Sequence, residues 1–160
     1  MIVRTFQRRV RVERLLSTGR LDGDWALVIP GYEPAYRGMV AAMARAGVDT
    51  EGRPPIWGWH GRLTLADAAM LFDAEHELSL GFATVDLAAP DELAVSSDYG
   101  AWNDYMSDVV AGTPAAWDPT GTPAREPVQV CLPYLLAEWV LDVRPLPSSG
   151  WGDLDWSLPA

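Results

Sequence analysis

The sequence predicts an α+β fold, in which a mixed or antiparallel sheet is combined with about three helices in a single compact domain. Short segments in which apolar residues alternate predict strands, and longer segments with apolar residues at helical spacing predict helices. A chain of 160 residues is long enough to bury one core. We expect the domain to span residues 1–144, and residues 145–160, which contain Pro and Trp, to pack on its surface.

Four elements are predicted in the first third of the chain. A strand over residues 2–6 is followed by a helix over residues 8–18, which Gly19 is expected to end. The apolar run at residues 25–29 predicts a second strand. Apolar residues at helical spacing predict a second helix that Pro34 opens and that runs to Arg45.

The remaining elements follow from alternation and from capping residues. Thr64 with Asp67 three positions later predicts a helix start, and Asp98 predicts another. The Pro- and Gly-containing residues 111–127 predict a long loop. We predict helices over 64–71 and 99–110 and strands over 56–60, 77–87, 93–97 and 128–143. A bulge is expected at Gly81, within the second of these strands. Within the last segment, a helix over 134–141 is the alternative.

The amino-acid composition excludes several classes of chemistry. The chain has a single cysteine, Cys131, which rules out a disulfide framework and a multi-cysteine zinc site. Its apolar neighbours favour a buried structural thiol over a nucleophile. All 12 basic residues are Arg, so a P-loop lysine and a Schiff-base lysine are both absent. Without a long apolar run or a secretory leader, we expect no membrane span and a cytoplasmic protein.

The charge is unevenly distributed along the chain. The net charge is −10, yet residues 1–62 hold 10 Arg and 6 acids, whereas residues 63–160 hold 2 Arg and 16 acids. The acidic balance argues against broad nucleic-acid binding. The Arg residues between positions 4 and 20 leave two interpretations open, a solvated helix face or a local contact with phosphate or RNA.

Eight Trp residues are the most conspicuous feature of the composition. Trp57 and Trp59 share one face of a predicted strand, because side chains two positions apart point the same way. That face is either core or the wall of a site that stacks a planar ligand such as a nucleobase. Trp102 lies on the inward side of a predicted helix, and His60 directly follows the Trp pair.

Metal binding and acid chemistry rest on few residues. The chain has two His, too few for a metal site built from His alone. A mixed site would use His60, His76, Glu75 and Glu77, but these residues lack the spacing of metal ligands on a helix. No metal is therefore predicted. Glu138 stands inside an apolar run. It therefore faces solvent, pairs with an Arg, or carries a raised pKa at a site.

Five blocks of the sequence resemble a bacterial family known as domain-of-unknown-function 3841. Together they span residues 4–143, and the resemblance supports one fold across that range without implying an activity. The blocks are Arg4-Thr5-Phe6-Gln7; Ala35-Tyr36-Arg37-Gly38-Met39 with Met43 and Gly47; Pro55-Ile56-Trp57-Gly58-Trp59; Leu93-Ala94-Val95-Ser96-Ser97-Asp98-Tyr99 with Trp102; and Val128-Gln129-Val130 through Glu138-Trp139-Val140.

A more distant similarity is to ADP-ribosyltransferase-type folds. The opening strand and helix with Gly19-Arg20-Leu21 resemble their first motif, and Ala137-Glu138-Trp139-Val140 resembles the late strand that carries their catalytic Glu. The resemblance implies NAD as the cofactor, with Glu138 as the catalytic residue. It also implies that Arg4, Thr5 or Gln7 would hold NAD and that Trp57 or Trp59 would stack its nicotinamide.

Three functional hypotheses follow. The first is a small cytoplasmic domain that binds a planar, nucleotide-like ligand in an aromatic-lined pocket. The alternatives are an NAD-dependent ADP-ribosyltransferase-like enzyme that uses Glu138, and an RNA or nucleic-acid accessory protein that uses the N-terminal Arg helix. The candidate ligand-binding residues are Arg4, Thr5, Gln7, Trp57, Trp59, His60, Asp98 and Trp102.

Overall fold

The computed structural model describes residues 1–72, 78–119 and 127–160, in which eight strands and four α-helices are formed. The helices are α1 (Arg9–Thr18), α2 (Glu33–Arg45), α3 (Leu65–Leu71) and α4 (Tyr99–Val110). The strands are β1 (Ile2–Arg8), β2 (Arg20–Asp22), β3 (Ile56–His60), β4 (Phe82–Ala88), β5 (Val95–Ser97), β6 (Val128–Leu132), β7 (Tyr134–Leu136) and β8 (Val140–Pro145).

The main sheet has six strands in the order β5-β6-β3-β1-β4-β8, and β2 and β7 form a separate pair. Every strand pair among the described residues is antiparallel. The predicted α+β class is therefore confirmed, with the antiparallel form of the sheet and with four helices where about three were expected.

The two faces of the sheet bury different sets of side chains. On β1, Val3 and Thr5 point to one face and Arg4 and Phe6 to the other, as strand geometry requires. The first face packs against α1 and the β2–β7 pair, where Leu15 is fully buried. The second face packs against α2 and α4 around β3, and against α3 and the chain end.

Capping residues set the helix boundaries. Gly19 ends α1 in the left-handed conformation at φ 83, as the sequence predicts. Thr64 and Asp67 form a reciprocal capping box at the start of α3. Asp98 begins α4 by accepting the backbone N–H of Ala101 at 2.8 Å. The helix ends predicted from these residues are therefore confirmed. Each cap satisfies an N–H or C=O group that the helix end would otherwise leave unpaired.

The strand predicted at residues 25–29 is wrong. Those residues form a 3₁₀ turn at Trp25–Leu27, and a second one follows at Pro30–Tyr32. The Asp24 carboxylate accepts the Ala26 N–H at 2.9 Å and so stabilises a turn rather than an extended chain. The strand lies earlier, in β2, which pairs with β7.

The bulge predicted at Gly81 is also wrong. Gly81 adopts φ 79 in a turn after the 3₁₀ residues Leu78–Leu80, and its N–H donates to Leu78 O at 3.0 Å. The strand begins only after it, at Phe82. The register irregularity of this strand lies further along, between Asp86 and Leu87, opposite β8.

The strands β6, β7 and β8 occupy the predicted last segment, and the alternative helix over residues 134–141 does not form. A 3₁₀ turn at Ala137–Trp139 separates β7 from β8. The tail then packs against α3 through a bridge between Thr64 and Pro159, and Trp151 is buried within it. Of the predicted loop at 111–127, residues 120–126 lie outside the described residues.

Membrane spanning was also assessed on the described residues. None of their helices combines the length and the apolar character needed to cross a bilayer.

Candidate ligand-binding site

The centre of the sheet opens between β1 and β3. The register of these two strands records one residue pair, Arg4 opposite Trp59. Toward the end of β1, a side chain connects the two strands: the Thr5 hydroxyl donates to Trp57 O at 2.6 Å. The Gln7 amide in turn donates to the Thr5 hydroxyl at 2.8 Å. Beyond that pair the two strands share no further register partner among their described residues, and the end of β1 and the start of β3 both line a cavity.

A cavity of about 480 Å³ occupies this opening. This volume falls within the range of small-molecule sites. The end of β1, the start of β3, the first turns of α1 and α4 and the segment over residues 23–32 all contribute to its walls. The site is thus formed by elements from both halves of the chain.

Nine of the 24 residues that line the cavity are aromatic. Trp57 packs edge-on against Tyr36, with ring centroids 5.8 Å apart, and Trp59 packs edge-on against Tyr99 at 5.2 Å. Trp102 lies against Trp57 at 4.8 Å and is itself buried. These contacts fix the orientation of each ring, because edge-to-face packing restricts both side chains. Rings held in this way are suited to contact a planar ligand.

The indole N–H of Trp57 is a buried donor that makes no standard hydrogen bond among the described residues. The hydroxyl of Tyr36 is its neighbour. Burial raises the pKa of Tyr36, and the interaction with Trp57 partly offsets that rise. The indole N–H of Trp57 is thus buried beside the Tyr36 hydroxyl and is not exposed to the cavity.

Three amide side chains also line the cavity, and each is oriented by a neighbour. Gln7 donates to Thr5, which leaves its carbonyl oxygen as an acceptor. Asn103 donates to Tyr99 O at 2.9 Å and likewise offers its oxygen. Gln129 accepts the Ser97 hydroxyl at 2.7 Å, so its amide nitrogen is the group it can offer as a donor. Both acceptors and donors are needed to recognise the edge of a heterocycle.

The first turn of α1 and the residue before it bring positive charge to the cavity. Arg8 and Arg11 both line it, together with the carboxylate of Asp24. Desolvation is the main cause that lowers the pKa of Arg11, and the charge of Asp24 opposes it. Arg11 donates to Asp22 O at 3.0 Å, but its Nε is buried without a partner. Within the described ranges Arg11 forms no ion pair with a carboxylate.

The segment over residues 23–32 borders the mouth of the cavity. Gly23 packs against Pro54 so closely that a Cβ would lie 1.7 Å from the Pro54 carbonyl oxygen. Trp25 donates to Gly52 O at 2.9 Å and fixes the segment a second time. Between these anchors and α2, Leu27 and Ile29 expose 56% and 62% of their surface, an unusual position for large aliphatic side chains.

Four of the predicted ligand-binding residues line the cavity: Gln7, Trp57, Trp59 and Trp102. Thr5 is buried directly behind it and holds Gln7 and the Trp57 backbone in place. The Trp57–Trp59 pair therefore belongs to the core and to the cavity wall at the same time, which are the two alternatives that the sequence leaves open.

Three other predicted residues perform structural tasks in the described residues and are not in the cavity wall. Arg4 pairs with Asp86 at 3.1 Å and also donates to Gly61 O. His60 joins β3 to β1 through a hydrogen bond between its Nδ1 and Ile2 O at 2.9 Å. Asp98 caps α4.

Glu138 lies away from the cavity. It is exposed in the 3₁₀ turn Ala137–Trp139, whereas the similarity to ADP-ribosyltransferase-type folds places it on a strand. The turn is attached to the α1 side of the sheet, since Ala137 donates to Gly19 O at 2.9 Å. Glu138 forms no ion pair with any other described residue, which matches the solvent-facing alternative for this side chain.

The Arg residues near the start of the chain do not form one patch. Arg4 is on the sheet, and Arg20 pairs with Asp22 and Glu51 at 2.7 and 2.9 Å. Arg8 and Arg11 line the cavity, and Arg9 and Arg14 are exposed on α1.

Cys131 and the metal candidates are the remaining predicted sites. Cys131 is fully buried, and burial raises the pKa of its thiol well above the ordinary value, so it is a structural thiol. The described residues contain no cluster of three metal-ligating side chains. His76, Glu75 and Glu77 lie outside the described residues.

Arg11, Asp24, Tyr36, Asn103 and Gln129 line the cavity but were not predicted as site residues. Two of them carry a signal in the sequence. Arg11 is four positions before Leu15 and so lies on the apolar side of α1. Gln129 is a polar residue in the apolar run Val128–Leu132. Both are polar side chains at positions where the periodicity predicts burial.

The chain was compared with protein-family models, with curated proteins and with solved structures, and none of them matches it. The case for a function therefore rests on the cavity.

Proposed function

We propose that this domain binds a planar, nucleotide-like small molecule in the cavity between β1 and β3. The observation that carries the proposal is the combination of an aromatic wall with the half-buried Arg11, which has no carboxylate partner among the described residues. An unpaired, partly desolvated guanidinium is costly, and an anionic ligand would offset that cost.

The aromatic wall supports a ring as the main part of the ligand. Trp57, Trp59 and Tyr99 all line the cavity, and Trp59 packs against Tyr99. Stacking of a base on an aromatic side chain contributes about 1–3 kcal/mol and tolerates different bases. Aromatic contact thus supplies affinity without selecting one ring system.

The amides supply selectivity. Gln7, Asn103 and Gln129 offer acceptors and a donor whose orientation is set by their own hydrogen bonds. Side chains oriented in advance lose little conformational entropy when a ligand binds. We expect them to contact the polar edge of the ring.

Titration with nucleotides tests the proposal directly. Purified protein is titrated with adenosine, AMP, GMP, CMP and UMP, and binding is followed by Trp fluorescence and by calorimetry. We expect quenching by at least one nucleotide. Trp57→Phe should reduce both the quenching and the affinity, because it replaces the indole with a smaller ring.

Two Arg variants provide a matched comparison. Arg11→Gln should weaken nucleotide binding on the order of tenfold or more, the value of a lost charge-assisted hydrogen bond. Arg9→Gln removes the same charge from the same helix at an exposed position outside the cavity and should leave affinity within about twofold. Equal effects of the two substitutions, or no binding of any nucleotide at millimolar concentration, would contradict the proposal.

The proposal does not include ADP-ribosyl transfer. Glu138 is exposed and lies outside the cavity wall, so Glu138→Gln should leave ligand affinity unchanged. Incubation with NAD should release no nicotinamide above the level of a buffer control. Release that depends on Glu138 would restore the enzymatic hypothesis.

A further inference from the structure

The charges that line the cavity nearly cancel. Among the described residues, its charged side chains are Arg8, Arg11 and Asp24. Two guanidinium groups and one carboxylate leave a small positive excess. The cavity carries this excess although the whole chain has a net charge of −10.

We infer that the cavity selects ligands in which a planar heterocycle carries a single negative charge and discriminates against di- and triphosphates. This inference rests on the proposed function and specifies the charge class of its ligand. The shared chemistry is a ring with one anionic group, either a phosphodiester or a carboxylate.

The guanidinium of Arg11 is partly desolvated, and desolvation is the largest influence on its pKa. Asp24 compensates part of that positive charge, while Arg14 and Arg8 add to it. One further negative charge would therefore be balanced by the cavity. Each additional one would have no counter-charge among the described lining residues and would lie in the negative field of an acidic protein.

The hydrogen-bond donors lead to the same conclusion. Arg11 already donates to Asp22 O, so only part of its guanidinium is available to a ligand. Polyphosphate sites usually combine several backbone N–H groups with a lysine, and this chain has no lysine. The donors present are sufficient for one anionic group.

A charge series tests the inference. Adenosine, cyclic AMP, AMP, ADP and ATP carry about zero, one, two, three and four negative charges at pH 8. Their affinities are measured by calorimetry at constant ionic strength with EDTA, and orotate represents a ring that carries a carboxylate. We expect cyclic AMP or orotate to bind tightest, and which of the two binds tighter identifies the anionic group. Binding of ATP should be weaker than that of cyclic AMP on the order of tenfold or more.

Asp24→Asn is the decisive variant. Asparagine keeps the oxygen that accepts the Ala26 N–H, so the turn at residues 25–27 is preserved while one negative charge is removed. The ratio of AMP to cyclic AMP affinity should rise about five- to tenfold. Glu13→Gln makes the same charge change at an exposed position of α1 and should leave that ratio unchanged.

The outcomes separate the two proposals. If no compound in the series binds, the proposed function fails and this inference fails with it. If nucleotides bind but affinity rises steadily with phosphate number, the proposed function stands and the inference is overturned. An Asp24→Asn variant whose affinity ratio does not change also overturns it.

Discussion

Trp57 and Trp102 lie against each other with ring centroids 4.8 Å apart and planes inclined by 45°. The first residue comes from β3 and the second from α4. Their contact therefore joins the sheet to the helix that covers it and at the same time forms part of the cavity wall. The same pair of side chains therefore contributes to the packing of the fold and to the proposed ligand site.

Truncation of Trp102 should destabilise the fold strongly. Trp102 also packs against Tyr36, Tyr105 and Trp117, so its removal leaves a large void. We expect Trp102→Ala to lower the free energy of unfolding by about 3–5 kcal/mol, measured by urea denaturation. Val110→Ala in the same helix, at a position with 53% exposure, should change it by less than about 0.5 kcal/mol. A small loss for Trp102→Ala would contradict the packing described.

Two buried Thr residues on neighbouring strands should respond in opposite ways to replacement by Val. The Thr84 hydroxyl is buried without a hydrogen-bond partner among the described residues, so Thr84→Val should stabilise the protein by about 0.5–2 kcal/mol. The Thr5 hydroxyl bonds Trp57 O and Gln7, so Thr5→Val should destabilise it by about 1–3 kcal/mol. Urea denaturation of both variants measures the difference, and effects of equal sign would refute the assigned hydrogen bonds.

Substitution of Gly23 should displace the segment at the cavity mouth. A Cβ there would lie 1.7 Å from the Pro54 carbonyl oxygen, and backbone has to move to relieve that clash. We expect Gly23→Ala to lower the melting temperature and to weaken nucleotide binding. Gly31→Ala is the control, because nothing lies within 4 Å of its Cβ position. If both variants behave alike, the contact between Gly23 and Pro54 is not what fixes the segment.

The buried thiol of Cys131 predicts a dependence of stability on pH. Its pKa is raised by burial in the folded protein, whereas in the unfolded chain a thiol ionises at about pH 8.5. The stabilisation is therefore complete below that pH and is lost as the pH rises toward the folded-state pKa. Between pH 8 and 10, the wild type should lose up to about 2 kcal/mol more stability than Cys131→Ala. Parallel losses in urea denaturation would show that the thiol does not contribute.

The helices were predictable because their boundaries depend on local chemistry. Gly19, Thr64 and Asp98 each satisfy a helix end within a few residues of chain, and all three signals are visible in the sequence. The strand predicted at residues 25–29 failed because its apolar side chains line a cavity mouth, and periodicity cannot distinguish that environment from a sheet.

Of the residues predicted for the site, Gln7, Trp57, Trp59 and Trp102 line the cavity. Trp57 and Trp59 were recognisable from their spacing on one strand. Arg11 was not, because its importance depends on where the first turns of α1 meet Asp24 and β3, which is a tertiary relation. Glu138 was a candidate because it is an acid in an apolar run. In the structure a 3₁₀ turn interrupts that run and exposes the side chain to solvent.

The single register pair between β1 and β3 divides the sheet into two panels of three strands each, β5-β6-β3 and β1-β4-β8. The side chains of Thr5 and His60 make hydrogen bonds across the boundary between β1 and β3. Separating the two panels therefore breaks few backbone hydrogen bonds. A ligand that contacts both Gln7 and Trp57 would bridge the boundary between β1 and β3 and hold the two strands together. Its binding should slow amide hydrogen exchange along β1 and β3 more than along β4 and β8, so that exchange rates report occupancy without any assay of activity.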